Sequence, residues 1–185
     1  EHLESRRTAT MATVPMEPLR KKAKLNPHKL SLNCLVATFG EAMLRFQPLE
    51  LAKPSVPQKV LRSVGGDELN VSVALSLLGV RSNWISVVPK GPLGQAVMQC
   101  ADISPLLQIK GLLHAEGDLG IFTMLPEVKS VHYQRSSSAF ARLADQLKWP
   151  VELEGVSWLH VSGITPLLSE AAKKSWLVAL QQARQ

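Results

Sequence analysis

Val64-Gly65-Gly66-Asp67-Glu68-Leu69-Asn70-Val71-Ser72-Val73-Ala74-Leu75-Ser76-Leu77-Leu78-Gly79 is the stretch on which the fold turns. The residues before it, Val56 to Val64, read as an edge strand running into two glycines. From Leu69 the apolar residues fall at offsets of three and four, Leu69/Val73/Leu77 and Val71/Leu75/Leu78, which is helical spacing. Gly79 closes that helix. Two glycines between strand and helix let the backbone approach a ligand closely. The helix start then aims its unpaired N–H groups at whatever lies beyond Gly66. Asn70, one turn in, adds an acceptor and two donors suited to hydroxyl groups. The run is neither G-x-G-x-x-G nor a Walker loop, so it indicates no nucleotide site. Taken alone, a Gly-Gly pair before a helix also reads as an ordinary turn.

Working outward, Leu35-Val36-Ala37-Thr38-Phe39 before Gly40 reads as a buried strand. Pro48, Pro54 and Pro57 bar a long helix between 47 and 63. Trp84 to Val88 is a strand closed by Pro89-Lys90-Gly91-Pro92, and a short helix starts near Leu93-Gly94. Gly120 to Pro126 and Lys129 to Arg135 are extended runs that turn at Pro126-Glu127 into an antiparallel pair. Residues 139–148 read as helical, and Trp158 to Ser162 as another buried strand. Ser169 caps a last helix from about Glu170 to Ala183. Glycine-flanked strands alternating with helices are the rhythm of a parallel α/β sheet.

The bulk numbers narrow the function classes. The chain of 185 residues, 45% of them hydrophobic, can bury a real core. Its net charge is +6, but residues 1–33 hold seven Lys/Arg against three Asp/Glu. The basic excess thus belongs to a tail, expected to be disordered, rather than to a folded face, which argues against a nucleic-acid partner. Pro18-Leu19-Arg20-Lys21-Lys22-Ala23-Lys24 also reads as an address or a nucleic-acid patch, and organelle targeting by residues 11–33 stays open beside the cytoplasmic expectation. No apolar run reaches the roughly 18 residues of a membrane helix, so no membrane partner is expected. Cys34 and Cys100 form no framework and are expected to be free, buried thiols in a reducing compartment. The five histidines lack ligand spacing, so no metal site is expected, and His160 reads as a hydrogen-bonded core residue. The four tryptophans read as core or edge packing.

A second run, Val131-His132-Tyr133-Gln134-Arg135-Ser136-Ser137-Ser138-Ala139, carries the other ligand signal. Tyr133 and Arg135, two apart in a strand, face the same side. A phenol beside a guanidinium forms a clamp for an acid sugar, since Arg offers the paired donors that a carboxylate accepts. The same pair also fits an ordinary surface strand. Glu41 sits at a strand's C-terminal end, where α/β ligands bind, and is a weaker candidate.

Taken in order, these runs resemble the ribokinase-like (PfkB) carbohydrate kinases, most closely the 2-keto-3-deoxygluconate kinase subgroup. Gly40-Glu41-Ala42-Met43-Leu44-Arg45-Phe46, Gly65-Gly66 with Asn70, Ala74 and Leu78-Gly79, Gly91-Pro92-Leu93-Gly94, Gly120-Ile121-Phe122 with Tyr133-Gln134-Arg135, and Gly155 to Pro166 carry the likeness. It covers about residues 34–183 of a domain reckoned as 34–185. The resemblance implies a doubly wound α/β sheet with a small β lid, here from about 41–63 and 119–135. It implies ATP-dependent phosphorylation of a sugar, with Mg2+ accompanying ATP. The sugar would be held by Gly65, Gly66, Asn70, Phe122, Tyr133 and Arg135, with Phe122 standing where a related kinase often has Tyr. In full-length members it also implies a homodimer through the lid. The family's catalytic Gly-Ala-Gly-Asp turn and its ATP site lie further downstream and find no counterpart here. The chain therefore reads as the N-terminal part of such a kinase, inactive alone. The alternative is a catalytically inactive sugar-binding or interaction protein that keeps the half-fold.

Overall fold

The computed structural model describes residues 34–49 and 59–185. The expected basic tail, residues 1–33, and the start of the expected edge strand at Val56 lie outside the described residues. In chain order the elements are β1 (Leu35–Phe39), β2 (Met43–Pro48), β3 (Val60–Gly65), α1 (Asp67–Leu77), β4 (Arg81–Pro89), α2 (Pro92–Ala101), β5 (Leu107–Ala115), β6 (Gly120–Leu125), β7 (Ser130–Gln134), α3 (Ala139–Leu143), α4 (Trp149–Glu152), β8 (Trp158–Val161) and α5 (Glu170–Gln182).

Among the described residues these strands form two sheets. The first has the order β5-β4-β1-β8 and is parallel throughout. The chain winds one way from β1 through β4 to β5, then returns to place β8 on β1's other side. The strand order reverses there, which is the doubly wound arrangement and opens a crevice at the C-terminal ends of β1 and β8. The second sheet has the order β3-β2-β6-β7. Here β2 pairs antiparallel with β3 and parallel with β6, and β6 and β7 form the expected antiparallel pair.

Two cores sit on opposite faces of the parallel sheet. One gathers Phe39, Ile85 and Val87 with Phe140, Ala144, Trp149, Ala172 and Ala179 beneath α3, α4 and α5. The other joins Trp84 and Val88 to Leu69 of α1, Val97 of α2, and Leu44 of β2, with Phe46 and Ile121 packed against it. Alternation then decides which residues of the second sheet face away from that core. With Leu44, Phe46 and Ile121 turned inward, Met43, Arg45 and Phe122 turn to the opposite face.

Several expectations change. The buried stripe of α1 is Glu68, Leu69, Ser72 and Ser76, whereas Leu77 and Leu78 are exposed. Small serines let the helix approach the sheet closely, and hydrogen bonds hold it there. Thr38 Oγ1 and Ser72 Oγ lie 2.9 Å apart, and Ser82 Oγ donates to the Ser72 carbonyl at 2.9 Å. The helix also begins at Asp67, two residues before the apolar spacing does. The strand expected over 158–162 forms, but it is not buried as expected. Trp158 is 70% exposed, because β8 pairs only with β1 among the described residues. His160 is half-buried in that same edge strand rather than in the core. Cys34 and Cys100 are free, but Cys34 is only half-buried, and Cys100 is exposed because α2 turns Val97 and Ala101 inward instead. The helix expected over 139–148 is shorter: α3 ends at Leu143 and a 3-10 turn covers Ala144–Gln146. The last helix keeps its predicted start, with Ser169 Oγ accepting from the Ala172 N–H at 3.0 Å.

Candidate functional site

The crevice at the β1/β8 reversal continues between the start of α1 and the face of the second sheet that carries Met43, Arg45 and Phe122. It encloses a cavity of about 250 Å³. Gly65, Gly66, Asn70, Phe122, Tyr133 and Arg135 all line it. Residues that are up to 70 apart in sequence thus meet around one cleft because β6 pairs with β2 and brings β7 with it.

Gly66 is required here by close approach rather than by its dihedral angles. Its backbone is extended, but a methyl group on it would run into the Glu41 carbonyl oxygen where the chain leaves β1. Among the described residues no side chain caps α1, so its first N–H groups remain for water or a ligand. On the facing wall the register brings Arg45 of β2 beside Phe122 of β6, and Phe122 beside Tyr133 of β7. The Phe122 and Tyr133 rings stack with centroids 5.8 Å apart. The Arg135 guanidinium lies 5.7 Å from the Tyr133 ring centre, a cation–π contact.

Arg135 is not a free cation. Its Nε and Nη2 both reach Glu41 Oε2 at 2.7 Å. The Glu41 side chain is only 1% exposed. Burial pushes its carboxyl above the usual range, and the Arg135 charge pulls it part of the way back. The second carboxylate oxygen, Oε1, has no hydrogen-bond partner among the described residues. Glu41 therefore belongs to the cleft more firmly than its sequence position indicated. Gly120 packs against it, and the cation that balances it, Arg135, lies just past the end of β7.

Two lining residues carried no functional signal in the sequence. Glu68, in the first turn of α1, is buried, and its Oε1 collects three donors. These are the Ser162 N–H at 3.2 Å, Ser162 Oγ at 2.6 Å and Thr165 Oγ1 at 2.8 Å. It ties α1 to the loop after β8 and holds Ile164 and Thr165 at the cleft floor. Arg45 lines the opposite wall. Only its alternation with Leu44 and Phe46 could have marked it. Among the described residues no cluster of three or more His, Cys, Asp or Glu stands ready to hold a metal ion, and no helix is long and apolar enough to cross a membrane.

Comparison with known proteins places this architecture. The chain is 29% identical over 157 residues to the 2-dehydro-3-deoxygalactonokinase of Haloferax volcanii, covering 80% of this chain and 48% of that protein. It is 30% identical over 146 residues to the 2-dehydro-3-deoxygluconokinase of Bacillus subtilis, covering 74% of this chain and 43% of that protein. The crystal structure of the 2-dehydro-3-deoxygluconokinase from Thermotoga maritima superposes with a TM-score of 0.66 at 26% identity, covering 82% of this chain and 48% of that one. The chain thus spans somewhat less than half the length of the curated relatives it matches. A model of the pfkB family carbohydrate kinases matches residues 34–185, so the chain belongs to that family and carries its ribokinase-like fold.

Proposed function

We propose that this chain supplies the sugar-holding wall of an ATP-dependent kinase acting on an acid sugar of the 2-keto-3-deoxygluconate type. The observation that carries the reading is the gathering of Gly65, Gly66, Asn70, Phe122, Tyr133 and Arg135 around one cleft at the strand-order reversal. The names of the relatives support the substrate class. In this reading the second sheet acts as the lid, and its stacked Phe122 and Tyr133 rings cover the apolar face of the sugar. Asn70 and the first N–H groups of α1 take its hydroxyls and carbonyl. Bound ATP with Mg2+ would supply the transferred phosphoryl group. The cleft residues orient the acceptor hydroxyl and exclude water, and they fit a monosaccharide rather than a nucleotide.

A thermal-shift titration tests the reading. 2-Keto-3-deoxygluconate is expected to raise the melting temperature of the 185-residue chain, and fructose at equal concentration to raise it less. Equal shifts for the two sugars, or none, would count against an acid-sugar site.

A further inference from the structure

An acid sugar carries a carboxylate into a cleft where Arg135 already holds one. Glu41 follows β1, and Arg135 follows β7, 94 positions later. Arg135 Nε and Nη2 both reach Glu41 Oε2 at 2.7 Å. A guanidinium has five N–H donors, so about three remain. Arg135 lines the cleft, and no other acceptor among the described residues takes those donors. The Arg135 side chain is 16% exposed and that of Glu41 1%. A ligand in the cleft therefore meets the arginine and not the glutamate behind it.

Two carboxylates that share one guanidinium repel each other, and burial leaves that repulsion poorly screened. Glu41 Oε1 has no hydrogen-bond partner among the described residues. Gly120 passes so close that a methyl group on it would sit 2.7 Å from this oxygen. A bare, buried carboxylate oxygen is costly while charged. A proton on Oε1 removes the charge and leaves Oε2 free to accept from Arg135. The burial of Glu41 and the like charge of Glu68 on α1 both favour that proton, and Arg135 opposes it. The other charged groups nearby stand apart. Asp67 and Asp118 are exposed, Arg45 lies further along β2, and none of them pairs with Glu41 or Arg135 among the described residues.

We infer that Glu41 is a positioning residue for Arg135, and that an acid sugar bound at Arg135 drives a proton from solvent onto Glu41. This rests on the acid-sugar reading above and adds to it a coupling between substrate charge and pH. With Glu41 ionised, the Glu41–Arg135 pair is neutral and attracts the sugar carboxylate weakly. With Glu41 protonated, Arg135 keeps its place and faces the sugar as a full cation. Linkage then sets the sign. Affinity for the acid sugar is greatest where Glu41 is protonated, and it falls as pH rises through the range in which the bound chain holds the proton and the free chain does not. A neutral sugar brings no second charge and moves no proton.

The test is calorimetric titration of the 185-residue chain with 2-keto-3-deoxygluconate and with fructose. Each is run in two buffers of different ionisation enthalpy, at a pH just above the ordinary glutamate value, where the sugar acid is ionised. The difference in heat between the buffers counts the protons taken up. The parent is expected to take up a fraction of a proton with the acid sugar and none with fructose. Its acid-sugar affinity should fall by about tenfold in all as pH is raised. Glu41→Gln is neutral at every pH, so it should take up no proton and lose the pH dependence while still preferring the acid sugar. A merely structural role for Glu41 would weaken both sugars together and leave the proton count as it was. Glu152→Gln is the control: burial raises this carboxyl too, but it sits on α4 outside the cleft, and its loss should leave the uptake unchanged. Should Glu41→Gln fail to fold, the proton count of the parent and of Glu152→Gln decides, uptake in both supporting the coupling and its absence from either overturning it. A parent that prefers the acid sugar without taking up a proton, or a Glu41→Gln chain that still takes one up, overturns the coupling and leaves the acid-sugar reading standing. A parent with no preference, or no binding, removes both.

Discussion

Replacing Glu68 by alanine should loosen the floor of the cleft and with it the domain. The Oε1 atom of this buried side chain accepts from Ser162 N–H, Ser162 Oγ and Thr165 Oγ1 at 2.6–3.2 Å. Hydrogen bonds to a charged group contribute about 1.5–3 kcal/mol each. Three bonds that share one oxygen do not add in full, and burying the carboxylate itself offsets several kcal/mol of their gain. A net loss of about 3 kcal/mol is expected, a large part of the roughly 5–15 kcal/mol that holds a domain together. Glu68→Gln keeps an oxygen at the Oε1 position and should lose only about 1 kcal/mol. Urea unfolding followed by tryptophan fluorescence measures both. Trp176 reports from the same place, because its Nε1 donates to the Ser162 carbonyl at 3.2 Å. A Glu68→Ala chain that unfolds within about 0.5 kcal/mol of the parent would refute the claim that this carboxylate holds the loop.

Two further outcomes follow from the same geometry. Burial raises the Glu41 carboxyl above its ordinary value, so the folded chain keeps a proton there that the unfolded chain has released. Its contribution to stability is therefore present below the ordinary glutamate value and is lost as pH rises through the folded value. The stability difference between the parent and Glu41→Gln should fall as pH rises above the ordinary glutamate value, and a flat difference would remove the assignment. Glu152, which burial shifts in the same direction, is present in both chains and cancels. Gly94→Ala is expected to cost about 3 kcal/mol, because a methyl there would overlap the Pro89 carbonyl oxygen and push α2 off the sheet. A chemical denaturation midpoint unchanged from the parent would show that α2 can shift freely.

The strands and helices that were legible in the sequence are the ones set by local chemistry. The Gly65-Gly66 turn before α1, the β6–β7 pair around Pro126 and the Ser169 cap each depend on residues a few positions apart. β5 was not read as a strand. Its Leu107–Ala115 sequence breaks alternation with Gly111 and His114, both at positive φ, and it lies on the sheet's edge. β2 was legible only through family likeness, since a six-residue strand straight after a bend shows little periodicity. The buried face of α1 was hidden because serines, not leucines, make its contact with the sheet.

The candidate site divides in the same way. Gly66, Asn70, Tyr133 and Arg135 stood out by residue type and by position beside a strand end. The sequence alone thus marked the strand–turn–helix rhythm and part of the cleft's lining, because turn chemistry and the two-residue and 3.6-residue periods are local properties, whereas the family came from likeness. The tertiary structure alone decided which charges in that cleft are already balanced. Glu41 and Arg135 are 94 positions apart, as are Glu68 and Ser162. Ion pairing depends on distance and burial after folding, so Arg135 is paired with Glu41 while Arg45 has no carboxylate partner among the described residues.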